Sequence, residues 1–316
     1  MEYLHEWDSQ AYRNDTVILV LVDHRLIYLC IADKPIFLAN LFSSRDLELD
    51  SIIRQNVIRI ALNEQSKYMS KTIQSLLNNS RIDPSWQTTL TSGLTLLDND
   101  YINDLVNTTG WLPGLSNLLN AFSIAKHDVK YILLGESPYP RQQSANGYAF
   151  WDSAVHSIWS ATGLATPINR ATSLRNFIKM LLVADHQLKK EDVSQQAIAQ
   201  LDKSNFIDTL DELFDHMLDQ GFLLLNASLV LSNIPVKKEA KIWLPFIKHI
   251  LSDVCLSYPQ VKLLLFGKIA QNLQSTLDKL ECSKLISEHP YNISFINNKL
   301  VHDTFSPLQL LKKFAK

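Results

Sequence analysis

Short apolar runs alternate with stretches of helical spacing along most of the chain, and the two periods predict different elements. Near the start, VILVLV (17–22) and LIYLCIA (26–32) flank the polar Asp23-His24-Arg25, the pattern of a β-hairpin, and PIFLANLF (35–42) adds a third strand. From Arg45 to about Asn78, Ile52, Ile53, Val57, Ile60 and Ala61 recur at helical spacing, which predicts one or two amphipathic helices. The polar NNSRIDP (78–84), ending on proline, reads as a linker. All eight glycines lie from Gly93 onward. This asymmetry divides the chain into a small α+β module, 1–83, and a larger domain, 84–316.

In the larger domain four runs stand out: VKYILLG (129–135), GFLLLNAS (221–228), VKLLLFG (261–267) and KLISEHP (284–290). Their continuous apolar character predicts an α/β fold with a mainly parallel sheet covered by helices on both faces. The helices are predicted over 173–185, 208–220 and 243–256, and the polar 188–205 reads as a surface excursion. Ligands of such sheets bind outside the carboxyl ends of the strands. Glu136, Ser137, Asn226, Gly267, Lys268 and His289 are therefore expected at one edge.

Composition narrows the classes of function. At 316 residues and 46% hydrophobic the chain is long enough for a substantial core. With 30 basic against 32 acidic residues it does not coat nucleic acid non-specifically, although a local basic groove from Arg141, Arg170, Arg175, Lys237, Lys238 and Lys241 is compatible with that balance. Cys30, Cys255 and Cys282 are odd in number and widely spaced, without a C-x-x-C pair. The expectation is no disulfide framework, no metal, no cofactor and a reducing, intracellular setting, cytoplasmic or, in a eukaryote, nuclear. The early apolar run is too short to span a bilayer and no signal-peptide pattern precedes it, so a soluble protein with no membrane partner is expected.

The residue types at the sheet edge suit a planar polar ligand. The amide of Asn226 presents donor and acceptor side by side, and Tyr139, Tyr148, Phe150 and Trp151 offer flat faces. His289 can donate to charge developing on a departing ring, and Glu136 or Asp152 can stabilise a cationic sugar or orient water. Asp152 is also placed as the N-cap of a helix over SAVHSIW (153–159).

From about Trp86 to the end the chain resembles the uracil-DNA glycosylase superfamily, closest to its family 1. The family carries Gly-Gln-Asp-Pro-Tyr-His after a strand and then Gly-Leu-x-Phe; here LLGESPYP is followed by ANGYAF. Its Leu-Leu-Asn strand end is matched by GFLLLNASL, its glycine corner by LLLFGKIAQ and its His-Pro by SEHPYNIS. The resemblance implies a three-layer α/β/α fold around a four-stranded sheet. It also implies hydrolysis of the N-glycosidic bond of a flipped uracil in single- or double-stranded DNA, as in base excision repair. Tyr139, Phe150 and Asn226 would hold the base, and His289 would stabilise its departure. Ser173, Gly267 and Lys268 would approach phosphates, and Ile293 would act as the wedge. Ser137 stands where family 1 has its water-activating aspartate, so Glu136 or Asp152 is expected to supply the missing charge. The alternative is a catalytically silent relative serving as a DNA- or protein-binding platform, with the N-terminal module as its partner surface.

Overall fold

A computed structural model describes residues 11–14, 17–22, 26–31, 34–38, 71–268, 273 and 277–313. The chain divides into two compact units, of which the larger comprises Ser75–Leu97 and Leu105–Lys316. In the smaller unit β1 (Ala11–Asn14), β2 (Val17–Val22), β3 (Leu26–Ile31) and β4 (Lys34–Leu38) form an antiparallel meander in chain order. The register places Leu29 opposite Leu19 on one side and Ile36 on the other. The expected three strands are present. A fourth, β1, precedes them without any apolar run to announce it. The helices expected from Arg45 fall outside the described residues as far as 70, and residues 71–79 are helical.

The larger unit is built on a parallel sheet of order β10-β9-β5-β8, formed by β5 (Tyr131–Gly135), β8 (Phe222–Asn226), β9 (Lys262–Phe266) and β10 (Ser283–Ser287). A two-stranded hairpin, β6 (Trp159–Ser160) and β7 (Gly163–Leu164), lies outside this sheet. Leu133, Leu224, Leu264, Phe266 and Leu285 share one cluster with Phe177, Met180, Leu213, Phe214 and Phe305, which come from the helices Thr172–Ala184, Leu210–Asp219 and Lys299–Phe305. The alternate residues Ile132, Leu134, Leu223, Leu225, Leu263 and Leu265 are at most 1% exposed as well. Successive strand side chains point to opposite faces. The sheet is therefore covered on both, which is why its strands read as unbroken apolar runs.

Local signals fix the flanking helices. Thr209 and Glu212 form a reciprocal capping box at the start of Leu210–Asp219, the side chain of each accepting the other's backbone N–H at 3.2 and 2.8 Å. The long helix Val236–Ser257 packs against Gln87–Leu94, where Gly93 lets the Phe246 ring come close. Trp86, Phe122, Phe246 and Trp243 follow one another edge to face at 5.0, 6.1 and 5.3 Å, and the Trp86 indole N–H donates to the Ile124 carbonyl at 2.8 Å.

Cysteine usage requires a correction. Cys255, in the last turn of Val236–Ser257, and Cys282, one residue before β10, form a disulfide with Cα atoms 5.5 Å apart. The separation of 27 residues gave no hint of it, since only the packing of that helix beside that strand brings the pair together. Among the described residues no group of three or more His, Cys, Asp or Glu side chains is placed to hold a metal, and no helix is long and apolar enough to cross a membrane.

Trp86 is fully buried. Replacing it with alanine is expected to destabilise the protein by about 3–5 kcal/mol, the range for deleting a large core aromatic, whereas Trp86→Phe costs less because the ring stays and one hydrogen bond goes. Urea unfolding midpoints of the two variants check this order.

Candidate active site

The site begins where β5 and β8 end together, with Gly135 opposite Asn226 in the ladder. A Cβ on residue 135 would lie 2.5 Å from the Asn226 Oδ1 and 2.8 Å from the Ala149 Cβ. Only glycine leaves room for the amide, which is 2% exposed. Beyond the strand ends, Ala227 N–H donates to the Gly135 carbonyl at 2.8 Å and Ser228 N–H to the Glu136 carbonyl at 3.1 Å. These two bonds bind the Glu136 corner to the Asn226 corner.

The other two strands close the site. β9 is followed by Gly267, whose φ of +72° is in the left-handed region, and a Cβ there would stand 2.9 Å from the Cβ of His289. Gly267 N–H donates to the Ser287 carbonyl at 2.9 Å, which ties the ends of β9 and β10. His289 follows two residues after β10. Its Nδ1 accepts the backbone N–H of Tyr291 at 3.0 Å, so the neutral ring carries its proton on Nε2. Burial holds its pKa below the ordinary 6.5, and the negative charge of Glu136 pulls the other way. The site thus presents a neutral N–H donor close to a carboxylate.

Phe150 lies roughly parallel to the His289 ring, with centroids 6.5 Å apart and 27° between planes, and meets Phe266 edge-on at 6.3 Å. Its backbone is left-handed, φ +66°, and its carbonyl accepts the Tyr139 hydroxyl at 3.1 Å. Burial, with the charge of Asp152 adding and that of Arg141 opposing, pushes that hydroxyl up to about 12. Together these groups line a cleft of about 880 Å³. Glu136, Ser137, Tyr139, Phe150, Ser173, Asn226, Gly267, Lys268 and His289 all border it. The arrangement offers a donor–acceptor amide, an aromatic face, a neutral imidazole N–H and the carboxylates of Glu136 and Glu288 to a flat polar heterocycle.

Other expected residues lie elsewhere. Asp152 does not border the cleft: its Oδ2 accepts from Arg141 at 3.1 Å and its Oδ1 from the Ala154 N–H at 3.0 Å. Trp151 and Tyr148 anchor the loop instead of lining the cleft, Trp151 by stacking on Phe214 at 5.2 Å and Tyr148 through its hydroxyl to Ser123 at 2.9 Å. Ile293 is 76% exposed at the start of a short 3-10 helix, and its neighbours Tyr291 and Asn292 border the cleft. Lys237, Lys238, Lys241 and Arg170 are exposed outside it, and Arg175 donates to the Asn169 carbonyl. Phe266, Ile286, Ser287 and Glu288 complete the lining. Phe266 was missed because it reads as the apolar end of β9, and Ile286, Ser287 and Glu288 because only the position where β10 ends marks them.

The crystal structure of wild-type UNG from Nitratifractor salsuginis is similar to this chain at 38% identity and a TM-score of 0.73, over 98% of that chain and 78% of this one. The chain belongs to the uracil-DNA glycosylase family. A mutant of the same UNG gives a TM-score of 0.74. Proteins named uracil-DNA glycosylase from Psychromonas ingrahamii and Aliivibrio salmonicida are 26% and 24% identical over 179 and 184 residues, covering 69% of each and 56% and 58% of this chain. No protein-family model matches the sequence. Two carboxylates border the cleft: Glu136, beside Ser137, and Glu288, whose Oε2 accepts from Asn298 Nδ2 at 2.8 Å.

The depressed pKa of His289 has a defined sign. Its contribution to folded stability is intact above pH 6.5 and is lost as the pH falls through the lower folded value, since the unfolded ring takes up its proton first. An NMR titration of the His289 Cε1 proton is expected to give a midpoint below 6.5, and Glu136→Gln, which removes the opposing charge, is expected to lower it further.

Proposed function

We propose that the protein is a uracil-DNA glycosylase that hydrolyses the bond between uracil and deoxyribose in DNA. The observation that carries this reading is the meeting, in one cleft, of Asn226, Phe150, the neutral His289 and Glu136 at the ends of four parallel strands.

Each group has a task that its chemistry allows. The Asn226 amide accepts from N3–H and donates to O4 of a base turned out of the helix, a pairing that distinguishes uracil from cytosine. Phe150 stacks on the ring, and Tyr139, fixed by its bond to the Phe150 carbonyl, fills the space that a 5-methyl group would need. When the N1–C1′ bond breaks, its electron pair goes to the base, and His289 Nε2–H donates to the charge developing on O2. A neutral ring suits this task, because it donates without having to give up the proton.

The sugar is left cationic, water adds to C1′ and gives up a proton that the uracil anion takes up, and an abasic site remains. Glu136 supplies negative charge for that side of the reaction, and the Ser137 hydroxyl cannot. Ser173, Gly267 and Lys268 at the rim approach the phosphates on either side of the flipped nucleotide, and the exposed Ile293 enters the gap it leaves. The N-terminal module, residues 1–83, provides a surface for a protein partner. The substrate places the protein inside the cell.

Single- and double-stranded oligonucleotides with one uracil, incubated with the protein and then treated with alkali, test this reading. The wild type is expected to produce strand scission at the uracil, and Asn226→Ala is expected to slow it by about 10²–10³-fold, the usual loss when one donor to a developing anion is removed. Absence of scission at stoichiometric protein, with DNA binding intact, would falsify the reading in favour of a binding platform.

A further inference from the structure

Asp152 is buried, charged and outside the cleft, and its partners show what it holds. Three cross-links join the two flanks of the loop that carries Phe150. The Tyr139 hydroxyl donates to the Phe150 carbonyl at 3.1 Å, Arg141 Nη2 donates to Asp152 Oδ2 at 3.1 Å, and Ser153 N–H donates to the Ser144 carbonyl at 3.3 Å. Residue 150 takes the first of these bonds on its own carbonyl and lies two residues from the second, in a left-handed conformation that phenylalanine adopts only when its surroundings impose it.

The ion pair is lopsided. The Asp152 side chain is 7% exposed and that of Arg141 is 56% exposed. Both carboxylate oxygens are committed to the loop, Oδ1 to the Ala154 N–H and Oδ2 to the guanidinium. The Arg141 carbonyl also accepts from Ser144 and Ala145, so its backbone is fixed by a turn. Removing Arg141 leaves the buried Asp152 Oδ2 without its partner, removing Asp152 takes away the anchor of both Arg141 and the Ala154 N–H, and in either case the loop around Phe150 relaxes.

We propose that the Arg141–Asp152 pair is a clamp that positions Phe150 for stacking on the base, so that Asp152 acts through Phe150 and not on the sugar. The proposal rests on the reading that the cleft takes a flipped uracil. It assigns Asp152 and Arg141 as positioning residues for recognition, and it leaves Glu136 as the carboxylate on the reacting side. Tyr139 belongs to the same device, since its hydroxyl holds the carbonyl of the residue being positioned. Loss of the clamp weakens binding of the base itself, with or without DNA attached.

The test compares the wild type with Arg141→Met, Asp152→Asn, the double variant and Phe150→Leu. Two quantities are read: the chemical shift of the His289 Cε1 proton, which the stacked Phe150 ring influences without any catalysis, and the kinetics on single-stranded uracil DNA with free uracil as inhibitor. Both single variants are expected to move the His289 proton in the direction seen in Phe150→Leu. They are expected to weaken inhibition by uracil about tenfold, and to raise KM by more than they lower kcat. The double variant should be no worse than either single one, because the two residues act as a unit. Because Arg141 is half in solvent, Arg141→Met carries the test even if Asp152→Asn does not fold.

Loss of kcat in Asp152→Asn alone, with uracil inhibition and Arg141→Met unchanged, would place Asp152 at the reacting atoms and overturn the clamp. Wild-type shift and inhibition in both variants, with only a lower Tm, would overturn it as well. If the wild type neither cleaves uracil DNA nor binds uracil, the functional reading fails while the His289 shift still decides the clamp: movement in both variants supports it, and no movement contradicts it.

Discussion

The contact between the bare backbone of Gly135 and the Asn226 amide sets the geometry of everything around it. There is no room for a Cβ between them, so β5 must end in a residue without a side chain for the amide to stand at the mouth of the sheet. Two backbone bonds then carry this registration past the strand ends and hold Glu136 at the cleft. Gly267 repeats the device on the other side, where its lack of a side chain lets His289 close in. The Asn226 amide and the His289 imidazole are thus fixed by backbone packing of a rigid sheet, which keeps a site aligned better than mobile loops do.

The electrostatics of the cleft follow from that packing. His289 is buried enough to favour its neutral form, and its Nδ1 is occupied, so a single N–H remains to donate. Glu136 borders the same cleft, and its negative charge acts on the His289 ring. The loop of Phe150 bears the cost of aiming an aromatic ring from a left-handed residue, and Asp152 is used there. The two acids that sequence reasoning treated alike are separated by their neighbours: one borders the cleft and the other is bonded on both oxygens.

Much of this was legible because strands buried on both faces leave continuous apolar runs, and each of the four runs ended at a functional corner. KLISEHP contains the last strand and its corner: β10 stops at Ser287, and Glu288 and His289 turn into the site. Side-chain direction was not legible. Periodicity cannot tell that Trp151 turns to Phe214 and Phe150 to His289, or that Asp152 faces Arg141, because these choices depend on contacts made across the fold. The Cys255–Cys282 pair and the opening strand β1 escaped for the same reason, each being defined by a partner distant in sequence or by backbone pairing alone.

The central claim is that Glu136 supplies the charge that Ser137 cannot. Single-turnover release of uracil from single-stranded DNA, measured for the wild type, Glu136→Gln and Glu136→Gln with Ser137→Asp, tests it most directly. The account predicts a fall of about 10²–10³-fold in Glu136→Gln, the typical loss of a transition-state charge contact, and partial recovery when the neighbouring aspartate is introduced. Release by Glu136→Gln at the wild-type rate would contradict it.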